Sequence, residues 1–425
     1  MEYYLKPEEK IPVIAAADVL VTGSGPAGIG AALTAARAGA DVILIESTGA
    51  PGGIATTGLM SHWTGTVDSE LYREILQKSA EKNDFTDEVT VTIDPEKLKI
   101  LYLELLSEAG VHLMLYTTVT GVVMDGNAIK GVITHSKSGA GVIKAKIVID
   151  ASGDGDAAAM AGAEYIIGRE SDGKMQPATL MFKVGGVDYD RAVFLGSFES
   201  TYETEKGELQ ALAKKHLKAP AGHVLLYKST LPGVVTCNMT NCIDVDGTTA
   251  EGLTKAETVC RMQLEPIVRF LREFVPGYEN CYLISSASLI GIRETRHFKG
   301  METITEQDIL CARQFDNYVV KGAHFNFDVH SITGAGLDVT GVQHKFSQHN
   351  GYTIPYGCLV PEKIDSLLLA GRCISGTHMA HSNFRAMPIC LAIGEAAGAA
   401  AAISAKEGCQ PRNVKAEKIR EITKI

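Results

Sequence analysis

The sequence predicts an α/β fold: a parallel sheet extended by a β-meander, with a mixed α+β cap inserted into it. Three observations carry this reading. Residues 18–46 read as strand, glycine loop, helix and strand. Residues 111–150 switch to short β runs separated by turn signals. Elements of the first kind return after residue 350, with different material between. At 425 residues, 45% hydrophobic, the chain suffices for one large or two medium domains with substantial cores.

The elements follow in order. Asp18-Val19-Leu20-Val21 is a strand, and an alanine-rich helix after the glycine loop ends at Gly39, a C-cap residue. Asp41 to Ile45 is the next strand and ends at Glu46, completing a β-α-β unit. Residues 69–83 look helical. Asp94-Pro95-Glu96 opens another helix through about Ala109, with Asp as N-cap and Pro at the first helical position. Leu113–Val119, Gly121–Met124, Ile129–Thr134 and Lys144–Ile149 are β runs, and Asp125-Gly126-Asn127 is a hairpin turn. Residues 165–350 are mixed. They hold a polar helix near 202–217 and a longer helix from Thr254 to Phe274, where Thr254 and Glu257 have capping-box spacing. The strand Leu367-Leu368-Leu369-Ala370 and an Ala/Gly helix beginning at Pro388 close the chain. The layout expected is a discontinuous cofactor domain, 1–164 and 351–425, with a cap or substrate domain over 165–350.

The glycine loop is Gly23-Ser24-Gly25-Pro26-Ala27-Gly28, a Gly-x-Gly-x-x-Gly string between strand and helix. Glycines there allow a tight turn and close approach of a pyrophosphate, and the helix N-terminus supplies amide donors. Glu46 ends the next strand, placed to bond a ribose hydroxyl and to disfavour a 2′-phosphate. Alone the string is weak evidence; in this setting it is strong. The bland alternative is a turn with incidental glycines.

Three further features favour FAD over NAD. Gly52-Gly53 follows Glu46 closely. The meander ends in Ile149-Asp150-Ala151-Ser152-Gly153-Asp154-Gly155-Asp156. The late strand ends in Ala370-Gly371-Arg372-Cys373 before the Pro388 helix. A long ligand crossing a domain needs several close backbone approaches. On these residues the chain resembles the FAD-dependent oxidoreductases with a glutathione-reductase-type, Rossmann-like FAD-binding domain, over nearly its whole length. Asn238-Met239-Thr240, Val275-Pro276-Gly277-Tyr278-Glu279, Gly291-Ile292-Arg293-Glu294-Thr295-Arg296, Tyr352-Thr353-Ile354-Pro355-Tyr356 and Ala370 to Ser375, running on to Met387-Pro388, resemble a family of largely uncharacterised bacterial flavoproteins. The resemblance implies that Gly23, Gly25, Pro26, Ala27 and Gly28 bind the ADP part of FAD and Glu46 its ribose. Gly52 and Gly53 pass close to the cofactor, and Ser152, Gly153 and Asp154 form a second fingerprint. Gly371, Arg372, Met387 and Pro388 approach the ribityl chain and flavin. Residues 47–51 lack the histidine that carries covalent FAD in succinate dehydrogenase relatives, so the FAD expected is non-covalent.

Other classes are disfavoured. With 40 basic and 50 acidic residues the net charge is −10, which argues against nucleic acid and gives no attraction to anionic membranes. Aromatics are 6%, too few for base-stacking platforms. No second dinucleotide unit occurs, so no separate NAD(P)H domain is expected. Cys237 and Cys242 have redox-pair spacing but read as small core residues. No Cys-x-x-Cys exists, so no iron–sulfur cluster or structural zinc is supported, and no metal is expected. The N-terminus has no basic-then-apolar leader. The apolar run Met387 to Ser404 is interrupted by Glu395 and reads as too weakly hydrophobic to span a bilayer. The expectation is a cytoplasmic protein with reduced thiols.

Catalysis at a flavin needs a proton-moving group and often a cation for an anionic substrate. His378, His381 and Arg385 lie between the Ala-Gly-Arg strand and the Pro388 helix, where the flavin belongs, and are the first choice. Arg293 and His297 follow, expected on one face of a strand with Arg296 turned away; Glu294 is a ready partner for an arginine. Cys373 and Cys390 read as packing. His62, Trp63, His324 and His330 are weaker possibilities, the last two as metal ligands. The reaction expected passes two electrons between a small organic substrate and flavin N5, with an external electron donor or acceptor; homo-oligomerisation stays open. The alternative is FAD held structurally, or serving a partner's electron transfer.

Overall fold

The strand Val13–Thr22 is exposed where it starts and buried over Val19–Thr22, because neighbours flank its second half on both sides. This is a computed structural model, and it describes residues 8–79, 90–338 and 351–425. The seven-stranded sheet runs in the order His112–Met114, Val42–Ile45, Val13–Thr22, Gly139–Asp150, Ala128–Ser136, Thr118–Asp125. Leu367–Leu369 pairs beside the far half of Gly139–Asp150. The strands at 13–22, 42–45, 112–114, 139–150 and 367–369 are mutually parallel. The other two form the antiparallel meander, joined at Gly126-Asn127 as expected. Thr22 stands level with Ile45 and with Asp150, and Leu369 with Asp150. The carboxyl ends of four parallel strands therefore share one edge, where open α/β sheets bind ligands.

Two helices lie together against this sheet. Pro26–Arg37 and Met387–Glu407 approach closely because glycines stand where they touch: a Cβ on Gly394 would lie 1.9 Å from Ala27 O, and one on Gly398 2.3 Å from Ala31 O. The late helix thus spans residue 387 onward, one residue earlier than Pro388. It is long and apolar enough to cross a membrane, contrary to the sequence expectation, yet its apolar stretch is wholly buried inside the protein.

A second, antiparallel sheet, Leu226–Lys228, Val235–Cys237, Phe182–Gly185 and Tyr282–Ser286, packs with the helix Ala250–Phe274 around its own apolar cluster. Phe298, Ile304, Ile309 and Val319, inside the expected 165–350 insertion, pack instead in the cluster of the main sheet. Three local expectations change. The long helix begins at Ala250, not Thr254: Thr249 caps it, accepting from Gly252 N at 3.1 Å, while Thr254 donates to Ala250 O. Near 202–217 only Leu209–His216 is helical, capped by Glu208 after two short strands. Residues 69–83 contribute Glu70–Ser79, and 80–83 lie outside the described residues.

Candidate active site

The glycine loop is tight for definable reasons. Gly23 has φ +89°, and a Cβ there would lie 2.7 Å from Ala151 O; one on Gly28 would lie 1.8 Å from Gly23 O. Gly52 N donates to Ser24 O at 2.8 Å, and Gly53 packs on Gly25 Cα. Gly25 alone in the loop faces open space. Pro26 opens the helix, and Ala27 is buried beneath it. The Glu46 carboxylate accepts from Ser24 N at 3.0 Å, Ser24 Oγ at 2.6 Å and Thr48 N at 2.8 Å, so it braces the loop it stands beside.

The second fingerprint joins the late strand. Ser152 donates to Asp150, steadying the turn, and Gly153, with φ +87°, leaves room for Arg372. Arg372 pairs with Asp154 at 2.9 Å, and its Nη1 is buried without a partner. Gly371 has φ +91° and faces Ala27 Cβ at 3.0 Å, so the late strand meets the first glycine loop. Met387 and Pro388 form the first turn of the buried helix. An open Gly25, a chain of positive-φ glycines and an orphaned guanidinium nitrogen at the shared strand edge fit an extended dinucleotide.

Beside Arg372 stands a histidine group built on one carboxylate. Glu294 Oε1 accepts from His297 Nε2 at 2.9 Å and His378 Nδ1 at 2.5 Å. Burial alone would raise the Glu294 carboxyl; the two hydrogen bonds, with His381 close by, outweigh it and hold it well below the usual carboxylate range. His381 packs edge-on to His297, ring centroids 4.7 Å apart, and burial pushes its imidazole well below the ordinary value. The ligand-capable atoms of Glu294, His297 and His381 lie within 4.8 Å of one another. The short helix His378–Phe384, capped by Thr377, presents His378 and His381.

Arg293 does not share a face with His297. The strand starts only at Arg296, and Arg293 turns the other way, donating to Pro177 O at 2.6 Å and Thr179 Oγ1 at 2.8 Å. Glu294 consequently partners histidines and no arginine. Arg296 points away as expected, onto Asp156. Arg385 donates to Asp328 Oδ2 at 2.8 Å and to Asp328 O, and His330 stands 3.3 Å from the same carboxylate.

A family model described as FAD dependent oxidoreductase matches residues 18–423. The chain belongs to that family. Digeranylgeranylglycerophospholipid reductase 1 of Methanococcoides burtonii is 29% identical over 200 residues, which cover 41% of this chain and 46% of the relative. The match thus spans about half the length of that curated relative. A geranylgeranyl bacteriochlorophyll reductase-like protein of Thermoplasma acidophilum shares the fold, with TM-score 0.50, 15% identity and coverage of 96% of this chain and 83% of its own.

The cofactor of this FAD dependent oxidoreductase is therefore FAD, which Gly23, Gly25, Gly28, Glu46, Gly53, Asp154 and Arg372 would hold. The structure brings His378, His381 and His297 together, while Arg385 bonds Asp328 and Arg293 bonds Pro177 and Thr179. Sequence reading missed Glu294 as organiser, though its spacing of three to His297 was a signal, and missed Asp328, which had none. His62, on the strand His62–Thr64 that pairs with Thr90–Thr92, stacks on Tyr227 of the second sheet, ring centroids 3.4 Å apart and 14° from parallel. Trp63 is wholly buried against Tyr72. His324 and His330 are not among the described residues grouped around Glu294. Cys237 and Cys242 are free and buried, and burial raises both thiols, as it does Cys373 and Cys390.

Proposed function

We propose that the protein passes two electrons between a small organic substrate and its FAD, with His378 moving the proton. When bound, FAD supplies the two-electron redox chemistry. The observation that carries the proton role is Glu294 Oε1 at 2.5 Å from His378 Nδ1. That bond fixes the tautomer with the proton on Nδ1 and leaves Nε2 as the atom that takes or gives the substrate proton. Glu294 is a positioning residue: its negative charge favours the imidazolium that forms when Nε2 is protonated. His297 holds the other side of the carboxylate, and His381, kept neutral by burial, walls the group. Arg385 and Arg293 orient a polar or anionic group of the substrate. The second sheet and its Ala250–Phe274 helix are the cap in this reading.

The test is anaerobic mixing of the purified flavoprotein with candidate substrates and donors, following flavin absorbance. Bleaching by a substrate, slowed in His378→Ala while FAD stays bound, is expected. Flavin that no substrate or donor bleaches sinks the reading.

A further inference from the structure

A second buried polar region adjoins the histidine group. The charges of Arg293 and Arg385 act on one another, and the Asp328 carboxylate attracts both. Asp328 is bonded to Arg385 and His330, whereas Arg293 bonds only a carbonyl and a hydroxyl; no carboxylate reaches Arg293 within ion-pair distance among the described residues. Glu294, next in the chain, turns to the histidines. The histidines described nearby are neutral: burial pushes His62 down to about 3, His223 to about 3 and His330 to about 4. Two guanidinium cations thus face one carboxylate inside the protein. A buried cation lacking its counter-charge is costly, and an anion from outside would relieve it.

The same region holds buried polar atoms with no partner among the described residues: His62 Nδ1, His223 Nδ1, Gln176 Nε2 and Arg385 Nε. His62 feels the charge of Asp328 and His223 that of Arg293. His62 comes from the strand after the Gly52-Gly53 passage, while Gln176 Oε1 accepts from His330 N and Phe198 packs against both His223 and His330. Groups like these are met by a ligand that hydrogen-bonds and are left wanting by one that does not.

We infer that this region takes the substrate as a small organic carboxylate bearing a further hydroxyl or carbonyl oxygen. Arg293 and Arg385 face the carboxylate, and His62, His223 and Gln176 face the second oxygen. The inference rests on the oxidoreductase reading and names its substrate class. It sets this site apart from an isoprenoid-lipid site: an apolar chain would leave these groups unpaired, a mismatch that hydrogen-bonding sites reject by as much as about 10⁴-fold.

The experiment titrates the holoprotein with lactate, pyruvate, glycolate and succinate, and with the matched neutral amides, following the flavin absorbance band. A saturable change with at least one acid and not with its amide is expected. Arg293→Met should weaken it about 100-fold, with Arg293→Lys between. Should Arg293→Met fail to fold, His62→Phe, which keeps a ring on Tyr227, should lower affinity about tenfold for acids carrying the second oxygen. Amides binding as well as acids, no acid binding up to about 10 mM, or both variants binding like the parent, overturns the inference. The two readings separate cleanly. Turnover of a neutral substrate would overturn the carboxylate class and leave the redox reading intact. Acids that bind to a flavin no donor can bleach would support the anion site and sink the redox reading.

Discussion

Glu294 Oε1 lies 2.5 Å from His378 Nδ1, although 84 residues separate the two in the chain. The bond ties the segment before the Arg296–Phe298 strand to the short helix ahead of Met387, so one carboxylate orders groups from both. Removing either partner should therefore disturb proton transfer more than FAD binding. His378→Ala is expected to slow the chemical step by about 10²–10⁴-fold. Glu294→Gln keeps the shape and removes the charge, and should cost less while altering the pH profile of kcat. Stopped-flow flavin reduction checks both; a Glu294→Gln profile identical to the parent's would refute the positioning role.

Gly25 and Gly28 stand three residues apart but should fail differently. A methyl at Gly28 meets Gly23 O, so Gly28→Ala should yield little folded protein. Gly25 has extended backbone, φ −62° and ψ −179°, that any residue adopts, and it faces open space. Gly25→Ala should leave the apoprotein's melting unchanged within about 0.5 kcal/mol and reduce FAD affinity at least about tenfold. Flavin content after dialysis against increasing bromide, beside thermal melts, separates the two outcomes.

Gly394→Ala probes the helix pair. Its new methyl would lie 1.9 Å from Ala27 O, against backbone that cannot swing aside. Overpacking of this kind costs about 1–3 kcal/mol, and more where backbone must shift. A fall in Tm of several degrees together with looser FAD is expected, since Ala27 is in the glycine loop's helix. An unchanged Tm would mean the two helices separate more freely than their packing implies.

Glu395 offers a pH test away from the flavin. It is buried in the Met387–Glu407 helix, donated to by Ser69 Oγ at 2.5 Å, and burial pushes its carboxyl up to about 7. A carboxyl raised on folding contributes fully below its unfolded value near 4.5, and that contribution is lost as pH rises through about 7. The total is on the order of 3 kcal/mol. Denaturation of the parent against Glu395→Gln between pH 4 and 8 should show the slope only in the parent. Equal slopes would rule Glu395 out as its source.

The sequence by itself determined the cofactor and the glycine turns proposed to hold it. Gly23, Gly25, Gly28, Glu46, Gly153 and Gly371 announce themselves because backbone turns and strand ends are local events, written in glycine and in alternation of apolar residues. Helix starts were legible to within a few residues. They slipped where a neighbouring threonine, Thr249, offered a better cap than the one the spacing favoured. The proposed active site was legible only as residue types. His378, His381 and Arg385 were expected near the flavin because they sit between two recognisable elements. Which carboxylate they use was decided by tertiary structure. Glu294 and Asp328 are distant in the chain from His378 and Arg385, and only folding chooses histidines for Glu294 and arginine for Asp328. Burial then sets the charge of each group, because the cost of a charge depends on its surroundings and not on its place in the chain. That Asp328 bonds Arg385 and leaves Arg293 without a carboxylate partner among the described residues, and with it the case for an anionic substrate, is seen only in the folded protein.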